Sequence, residues 1–452
     1  MEYYIYSSVM VFMILLGFSN SFVGGSKQRP LILWWYSGIY PHDGDEVNLV
    51  KCGKVKCLSS ASRRYLADSR TRVIIFYGSR LSPRDLPLPR ADHHQWALFH
   101  EESPMNNYIL SHGEFMELFN HTATFSRMSD YPITTHSIYS LRYLTERMPT
   151  PLETKNRKIK NENLAPILYI QSHCNVASDR DNYVRELMKY IKVDSYGKCL
   201  HDKDLPLEMT DPMTSFQSES FYDFISQYKF HLAFENAICG DYFTEKITRP
   251  LHVGSIPIYH GSPTIRDWMP NNRTIILVND YKSPKYLAQY INYLNDKDDE
   301  YEKYLEYKNP GGVTNQRLLN TLMTRDWGTQ DEKMYKYNDE DKDTYFAGFE
   351  CHLCRTLWES ETEESSVPRK YIANSSHMDC PNPYPSVGDR QRKLPYDYWG
   401  PMNYQQVYED DKIRASAVRK MLQMKETDSN KFWDYYQELL EERQLHRVND
   451  EL

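Results

Sequence analysis

Residues 234 to 262 read Phe-Glu-Asn-Ala-Ile-Cys-Gly-Asp-Tyr-Phe-Thr-Glu-Lys-Ile-Thr-Arg-Pro-Leu-His-Val-Gly-Ser-Ile-Pro-Ile-Tyr-His-Gly-Ser. The apolar run Phe230 to Phe234 leads in, and the short branched run Ser255 to His260 closes the stretch, so each reads as a buried strand. Between them the pattern predicts a helix from about Asp241 to Val253. Strand, helix, strand over such a span is a βαβ unit, which sets Asn236 to Lys246 at the carboxyl edge of a parallel sheet, where such folds bind ligands. A carboxylate, an ammonium and an aromatic (Glu245, Lys246, Tyr242) fall together there.

Outward from this unit the alternation continues. Strands are expected at Pro166 to Gln171, Ile191 to Ser195 and Thr274 to Val278, with helices at Asp181 to Tyr190, Phe221 to Tyr228 and Ser283 to Leu294. Toward the amino terminus, Pro30 to Tyr36, Arg72 to Tyr77 and Gln95 to Phe99 read as strands and Gly113 to Phe119 as a helix. The expected division is residues 1–25 as signal-anchor or signal peptide, 26–148 as an α/β domain, 149–165 as a polar linker, 166–330 as a doubly wound domain, and 331–452 as a C-terminal extension. That extension carries a Cys-x-x-Cys and ends in a helical arm, from the spacing of Val407, Ile413, Val418 and Leu422 and of Phe432, Tyr436 and Leu440.

The chain has 452 residues and a formal charge of -8, so it offers no basic field for nucleic acid and must hold any anionic ligand with local cations. Tyr3 to Val23 is mostly apolar, long enough for a signal-anchor or a cleaved signal peptide. Either places the rest in the secretory route, as a single-pass type II membrane protein of the Golgi or endoplasmic reticulum, or soluble in the lumen after cleavage. Sequons at Asn120, Asn272 and Asn374 agree. In that compartment the 8 cysteines are expected to be mostly paired. Cys174 and Cys199 follow two consecutive strands and could pair; Cys239 and Cys380 have no assigned partner.

Phe-Glu-Asn, Tyr242, Glu245-Lys246 and Gly-Ser-Ile-Pro-Ile-Tyr together resemble the donor-site signature of the α1,3-fucosyltransferases, over about residues 95 to 355 and most strongly from 166 to 262. The resemblance implies a GT-B fold, two Rossmann-like domains facing across a cleft, and inverting transfer of fucose from GDP-fucose to a glycoprotein acceptor. It implies a base at Glu102 in His100-Glu-Glu-Ser-Pro104, with the adjacent Glu101 as the alternative. On the donor side it implies Arg180 and Lys246 for the diphosphate, Glu245 for ribose or fucose hydroxyls, Asn236 and Tyr242 beside them, and Ser172 as a weaker nucleotide contact. By the same analogy Cys351 and Cys354 bridge back to Cys52 and Cys57, in unassigned order.

The chain departs from the family at Thr124-Phe-Ser-Arg-Met-Ser-Asp130, where the usual version is Thr-Tyr-Arg-Arg-Asp-Ser-Asp. Phe125 retains a ring for stacking on the donor side but lacks the hydroxyl. Asp-x-Asp triplets, including Asp179 with Asp181, are expected by chance in a chain this acidic, and with Arg180 and Lys246 present no metal or other cofactor is expected. The Cys-Leu after Tyr-Gly-Lys, the Phe349-to-Cys354 motif and the long tail look like a divergent branch of the family. Its acceptor is expected to be an inner GlcNAc of an N-glycan (α1,3), or alternatively a Ser/Thr of a folded protein module. A non-catalytic binding or chaperone-like protein is the reading from another class.

Overall fold

A computed structural model describes residues 28–38, 46–211, 215–325, 344–362, 372–387 and 403–450. Two sheets organise them. The first has the order β2-β3-β1-β4-β5-β6, formed by Asn48–Cys52, Val55–Ser60, Leu31–Trp34, Thr71–Tyr77, Gln95–His100 and His121–Thr124. All its neighbours run parallel except the β2–β3 hairpin. The second is wholly parallel, β11-β10-β9-β7-β8, built from Ile276–Leu277, Ile256–His260, Phe230–Phe234, Ile167–Ile170 and Val193–Tyr196. β1, β7, β9 and β10 are buried on both faces or nearly so, as expected of strands covered by helices on either side. This is the two-sheet α/β architecture that the resemblance implied, with a helical arm at the C-terminus.

In the second sheet the chain order reverses between β7 and β9. These strands pair only at Ile167↔Phe230 and Leu168↔His231, whereas β9 and β10 pair along five positions. The pair therefore parts toward its carboxyl ends, and such a switch point is where open α/β sheets take ligands.

The expected elements are found with shifted ends. The helix after β9 is Glu245–Val253, starting four residues later than the sequence pattern suggested. Asp241 instead adopts a left-handed conformation (φ 60°) and Thr244 caps the helix. The sequence reading missed the β2–β3 hairpin, which turns at Gly53 (φ 69°), and also β6. The polar stretch read as a linker contains the helix Leu152–Asn161. Its Lys155 is wholly buried and donates to the carbonyls of Tyr228 and Gly254 (both 3.0 Å) and to Ser255 Oγ (3.1 Å). Burial, with Lys229 and Lys308 nearby, pushes this ammonium down to about 7. Composition suggested an exposed segment because three acceptors from distant elements cannot be read locally.

Helix Thr344–Thr362 lies on the first sheet. Phe346, Phe349 and Leu353 pack with Trp34 and Phe99, and Trp34 Nε1 donates to the buried Glu350 at 2.7 Å. Cys351 and Cys354, three residues apart, share a helix face and bond Cys52 and Cys57 on the two hairpin strands. Cys174–Cys199 and the previously unassigned Cys239–Cys380 are also disulfides. The arm, Tyr404–Gln423 and Phe432–Asp450, docks Ala415, Val418, Met421 and Phe432 against Leu110, Phe115 and Met116. Among the described residues no helix is long and apolar enough to cross a membrane; the expected anchor, Tyr3 to Val23, lies outside them.

The two hairpin disulfides close loops of 299 and 297 residues that nearly coincide. Once one has closed the long loop, the other constrains little more. Loss of one bond is therefore expected to lower stability slightly, and loss of both by roughly 2–5 kcal/mol. Denaturant unfolding of Cys354→Ala/Cys57→Ala and of the quadruple Ala variant checks this non-additivity.

Candidate active site in the cleft between the two sheets

Arg180 is the first residue of helix Arg180–Leu187 and is 1% exposed. Its Nη1 donates to the Phe234 carbonyl at the end of β9 (2.9 Å) and its Nη2 to the His173 carbonyl beyond β7 (2.8 Å). The guanidinium thus fills the mouth of the β7–β9 crevice, using carbonyls that no ladder partner reaches. Ser178 stitches the same gap: its hydroxyl donates to the Glu235 carbonyl (2.6 Å) and its N–H to the Asn236 carbonyl (3.0 Å). The Asn236 side-chain oxygen is buried and has no protein partner. Ser172, in the turn after β7, is exposed.

Next to this crevice stands a compact charge cluster. Lys246 Nζ donates to Thr244 Oγ1 (3.0 Å) and faces Glu235 (3.4 Å) and Glu245 (3.5 Å). Glu235 is fully buried and receives the Thr244 N–H (2.8 Å) and hydroxyl (2.9 Å). Burial raises its pKa despite Lys246. Burial opposes the charge on Lys246, but Glu245 and Glu235 outweigh it and leave the ammonium above its ordinary value. Burial likewise pushes Glu245 upward, and Lys246 and Arg249 more than reverse this, holding it down to about 2. The side chain of Glu245 remains 40% exposed, available to the cleft.

Glu102 brings the first sheet to the same place. It follows β5, and its carboxyl is raised above the usual range by burial, with Lys246 opposing and Glu245 and Glu235 reinforcing the rise. Glu101 is oriented differently: its Oε1 accepts from the Tyr77 hydroxyl (2.7 Å), its Oε2 is buried without a partner, and burial pushes it up to about 7. Of the adjacent carboxylates, Glu102 is the one in the field of Lys246 and Glu245. The buried His100 supports this turn, and its ring sits where a Cβ on Gly78 would come within 2.4 Å.

Tyr242 is 1% exposed, and its carbonyl accepts from the Tyr259 hydroxyl (3.1 Å). Phe125 packs edge-to-face on it at 5.0 Å. Because Phe125 is fully buried, it braces Tyr242 from behind and has no face open for stacking on a ligand, contrary to the expected direct contact. The Tyr-to-Phe departure is therefore a packing change: in this apolar cluster a hydroxyl would need a partner.

Arg127, the Arg kept in the altered segment, ties the two sheets together. It makes a bidentate pair with Asp241 (2.7 and 2.5 Å), donates its N–H to the same carboxylate (3.0 Å), reaches Asp267 (2.7 Å), and lies over Trp268. Thr264 (2.7 Å) and Trp268 Nε1 (2.9 Å) also donate to Asp241. This explains the left-handed backbone at Asp241 and sets the angle at which Tyr242 enters the cleft. Sequence reasoning did not single out Glu235, Thr244, Arg127 or Asp241. An ionisable residue capping an apolar strand, as Glu235 does, was the available signal.

The Asp179–Asp181 triplet is already committed to protein donors. Asp179 accepts from Ser386 and Asn182, and Asp181 from the Tyr169 hydroxyl (2.8 Å) and the Asn175 N–H (2.9 Å). Cys174, Asp181 and Cys199 cluster, but the two sulfurs are bonded to each other and are no thiolate ligands. Of the sequons, Asn272 and Asn374 are exposed, while Asn120 is partly buried, its Oδ1 accepting from Arg90 (2.6 Å) and the Trp96 N–H (3.0 Å).

Residues 159–372 match the family described as Glycosyltransferase family 10 (fucosyltransferase) C-term, and residues 27–135 match Fucosyltransferase, N-terminal. The chain belongs to glycosyltransferase family 10, the fucosyltransferases. Within it, the chain is similar to GDP-fucose protein O-fucosyltransferase 3 of Bos taurus, 43% identical over 412 residues covering 89% of this chain and 82% of that one. The Homo sapiens protein of that name is also 43% identical, over 408 residues with the same coverage. Among solved structures, an α1,3-fucosyltransferase with GDP-fucose is similar at 18% identity and a TM-score of 0.36, over 60% of this chain and 79% of that one. Another with GDP gives 15% and 0.39, over 69% and 94%. These overlaps are too loose to place residues, and the site above rests on this chain's own geometry.

Arg127→Ala leaves the Asp241 carboxylate, 6% exposed, without its cation. It is expected to destabilise the fold by about 2–3 kcal/mol, whereas Asp267→Ala, at a 44% exposed partner, changes stability by less than about 1 kcal/mol. Thermal unfolding of the two variants compares them directly.

Proposed function

We propose that this protein transfers fucose from GDP-fucose, with inversion at the anomeric carbon, to a Ser or Thr hydroxyl of a folded protein module in the secretory lumen. The observation that carries the acceptor class is the similarity to relatives named GDP-fucose protein O-fucosyltransferase 3 across 89% of the chain. It favours the protein hydroxyl over the GlcNAc of an N-glycan. The four disulfides support an oxidising compartment, the endoplasmic reticulum or Golgi lumen.

In the proposed reaction Glu102 takes the proton of the acceptor hydroxyl as the acceptor oxygen bonds to the anomeric carbon of fucose. The bond from that carbon to the diphosphate oxygen breaks on the opposite face, and GDP departs with both electrons. Lys246 neutralises the charge developing on the diphosphate as a point cation, and Arg180 contributes positive potential from the crevice mouth. Glu245, ionised and facing the cleft, accepts from ribose or fucose hydroxyls. The unpartnered Asn236 oxygen offers a second acceptor, and the buried Tyr242 backs the loop that carries these groups. Glu235 keeps Lys246 aimed. No step calls for a metal, and full transfer is expected in excess chelator.

Mass spectrometry of acceptor glycopeptides after incubation with GDP-fucose tests the reading. Fucose on Ser/Thr is expected with the wild type and none with Glu102→Gln, which should still bind GDP. Fucose found solely on N-glycan GlcNAc would overturn the acceptor assignment. Because burial raises Glu102, kcat/KM should fall as pH drops through a value above the ordinary carboxylate range. Removing the cation that favours its ionised form, in Lys246→Ala, should move that acid limb of the residual activity to higher pH.

A further inference from the structure

Residues 372–387 form neither a strand nor a long helix, yet they are bonded to both halves of the molecule. This strap begins on the first sheet's side. The Ala373 N–H donates to the Phe119 carbonyl (3.0 Å), the His377 ring meets the Thr122 hydroxyl (3.0 Å), and the Ser126 hydroxyl donates to the Ser376 carbonyl (2.7 Å). It then crosses to the second half at two points. At the first, the Asp379 carbonyl accepts the Gly240 N–H (2.9 Å) and Cys380 bonds Cys239. Gly240 has no room for a side chain, since a Cβ would lie 2.0 Å from the Asp379 carboxylate. At the second, Ser386 grips Asp179: its N–H donates to Oδ2 (3.0 Å) and its hydroxyl to the carbonyl (2.7 Å), with Oδ2 also 3.0 Å away.

Both gripped residues adjoin the donor-side groups. Gly240 precedes Asp241 and Tyr242 in the loop that starts at Asn236, and Asp179 precedes Arg180. Asp179 and Asp241 both hold left-handed backbones (φ 54° and 60°), a conformation Asp adopts as a single residue more readily than most. Between the two grips the chain reads Cys380-Pro-Asn-Pro-Tyr-Pro-Ser386, and its alternating prolines, each with a fixed φ, make it a stiff spacer. The spacer closes against Pro104, two residues past Glu102, and against Ala237 and Cys239, leaving a cavity of only about 10 Å³. Nearly all of the strap lies beyond residues 159–372 that match the family.

We propose that the strap, through Ser386 and the Cys239–Cys380 bond, is a positioning element of the donor site. It holds the loop after β9 and the start of helix Arg180–Leu187 at the separation that a nucleoside diphosphate requires. The proposal rests on the GDP-fucose reading above. Ser386 touches no substrate; it acts through Asp179 on Arg180, and Cys380 acts through Cys239 on the Asn236–Tyr242 loop.

The test is calorimetric binding of GDP to the full chain, as wild type, Ser386→Ala, Ser386→Thr and Cys239→Ala/Cys380→Ala, with the melting temperature of each protein without ligand. Ser386→Ala is expected to weaken GDP binding about tenfold, the equivalent of one hydrogen bond of about 1.4 kcal/mol. Its unliganded melting temperature and its KM for the acceptor should be unchanged, Thr should restore affinity, and the double Ala variant should weaken binding at least as much. Equal GDP affinity in Ser386→Ala and wild type overturns the strap proposal alone. A fall in melting temperature that matches the lost affinity and is not rescued by Thr also overturns it, by showing a merely structural role. A wild type that binds no GDP sinks the donor reading and the strap proposal with it.

Discussion

The cleft is built around one partly buried ammonium. Lys246 keeps its charge at 18% side-chain exposure only because Glu235 and Glu245 stand within 3.5 Å of it. Each of those carboxylates in turn needs support: Glu235 from the N–H and hydroxyl of Thr244, Glu245 from Arg249 one helical turn on. The helix must therefore start just after its cap Thr244, and the β9 strand must end one residue before Glu235. Glu102 is raised chiefly by its own burial, with Lys246 opposing and Glu245 and Glu235 adding to the rise. The ammonium and the carboxylates that hold its charge form a single unit.

Such a cluster is useful only if the two sheets keep a fixed separation, and several independent ties enforce it. Arg127 reaches from the turn after β6 into the backbone bend at Asp241. Phe125 fills the space behind Tyr242. The strap adds a covalent link at Cys239–Cys380, and the paired disulfides anchor helix Thr344–Thr362 to the hairpin at the edge of the first sheet. The arm beyond it packs on the helical turns that follow the Glu102 loop. Described residues from the last third of the chain thus brace the elements that carry the site.

Family membership and site chemistry bear on different questions. The Arg180 crevice and the Lys246 cluster are defined by groups in contact. The acceptor class depends on surfaces of the first half that this geometry leaves open, and there the named relatives carry the weight. The altered segment Phe125–Met128 shows why a residue-by-residue transfer of roles misleads. Phe125 occupies an aromatic position of the family motif, but here it is wholly buried, while Met128 is exposed and Arg127 serves as a clamp.

By itself the sequence determined the alternation of strands and helices and the parallel βαβ unit around Phe234 to Ser262, and it singled out Arg180, Asn236, Tyr242, Glu245 and Lys246 as candidate residues. These are legible because hydrophobic period and a dense local motif are properties of neighbouring residues. Tertiary structure alone decided that Glu101 is engaged by the Tyr77 hydroxyl, that Phe125 is a brace, that Lys155 is buried in a helix instead of exposed in a linker, and that Cys239 bonds Cys380. Each of those depends on atoms brought together from positions tens to hundreds of residues apart. Burial and hydrogen-bond satisfaction are set by the whole fold, so neither composition nor spacing along the chain encodes them locally.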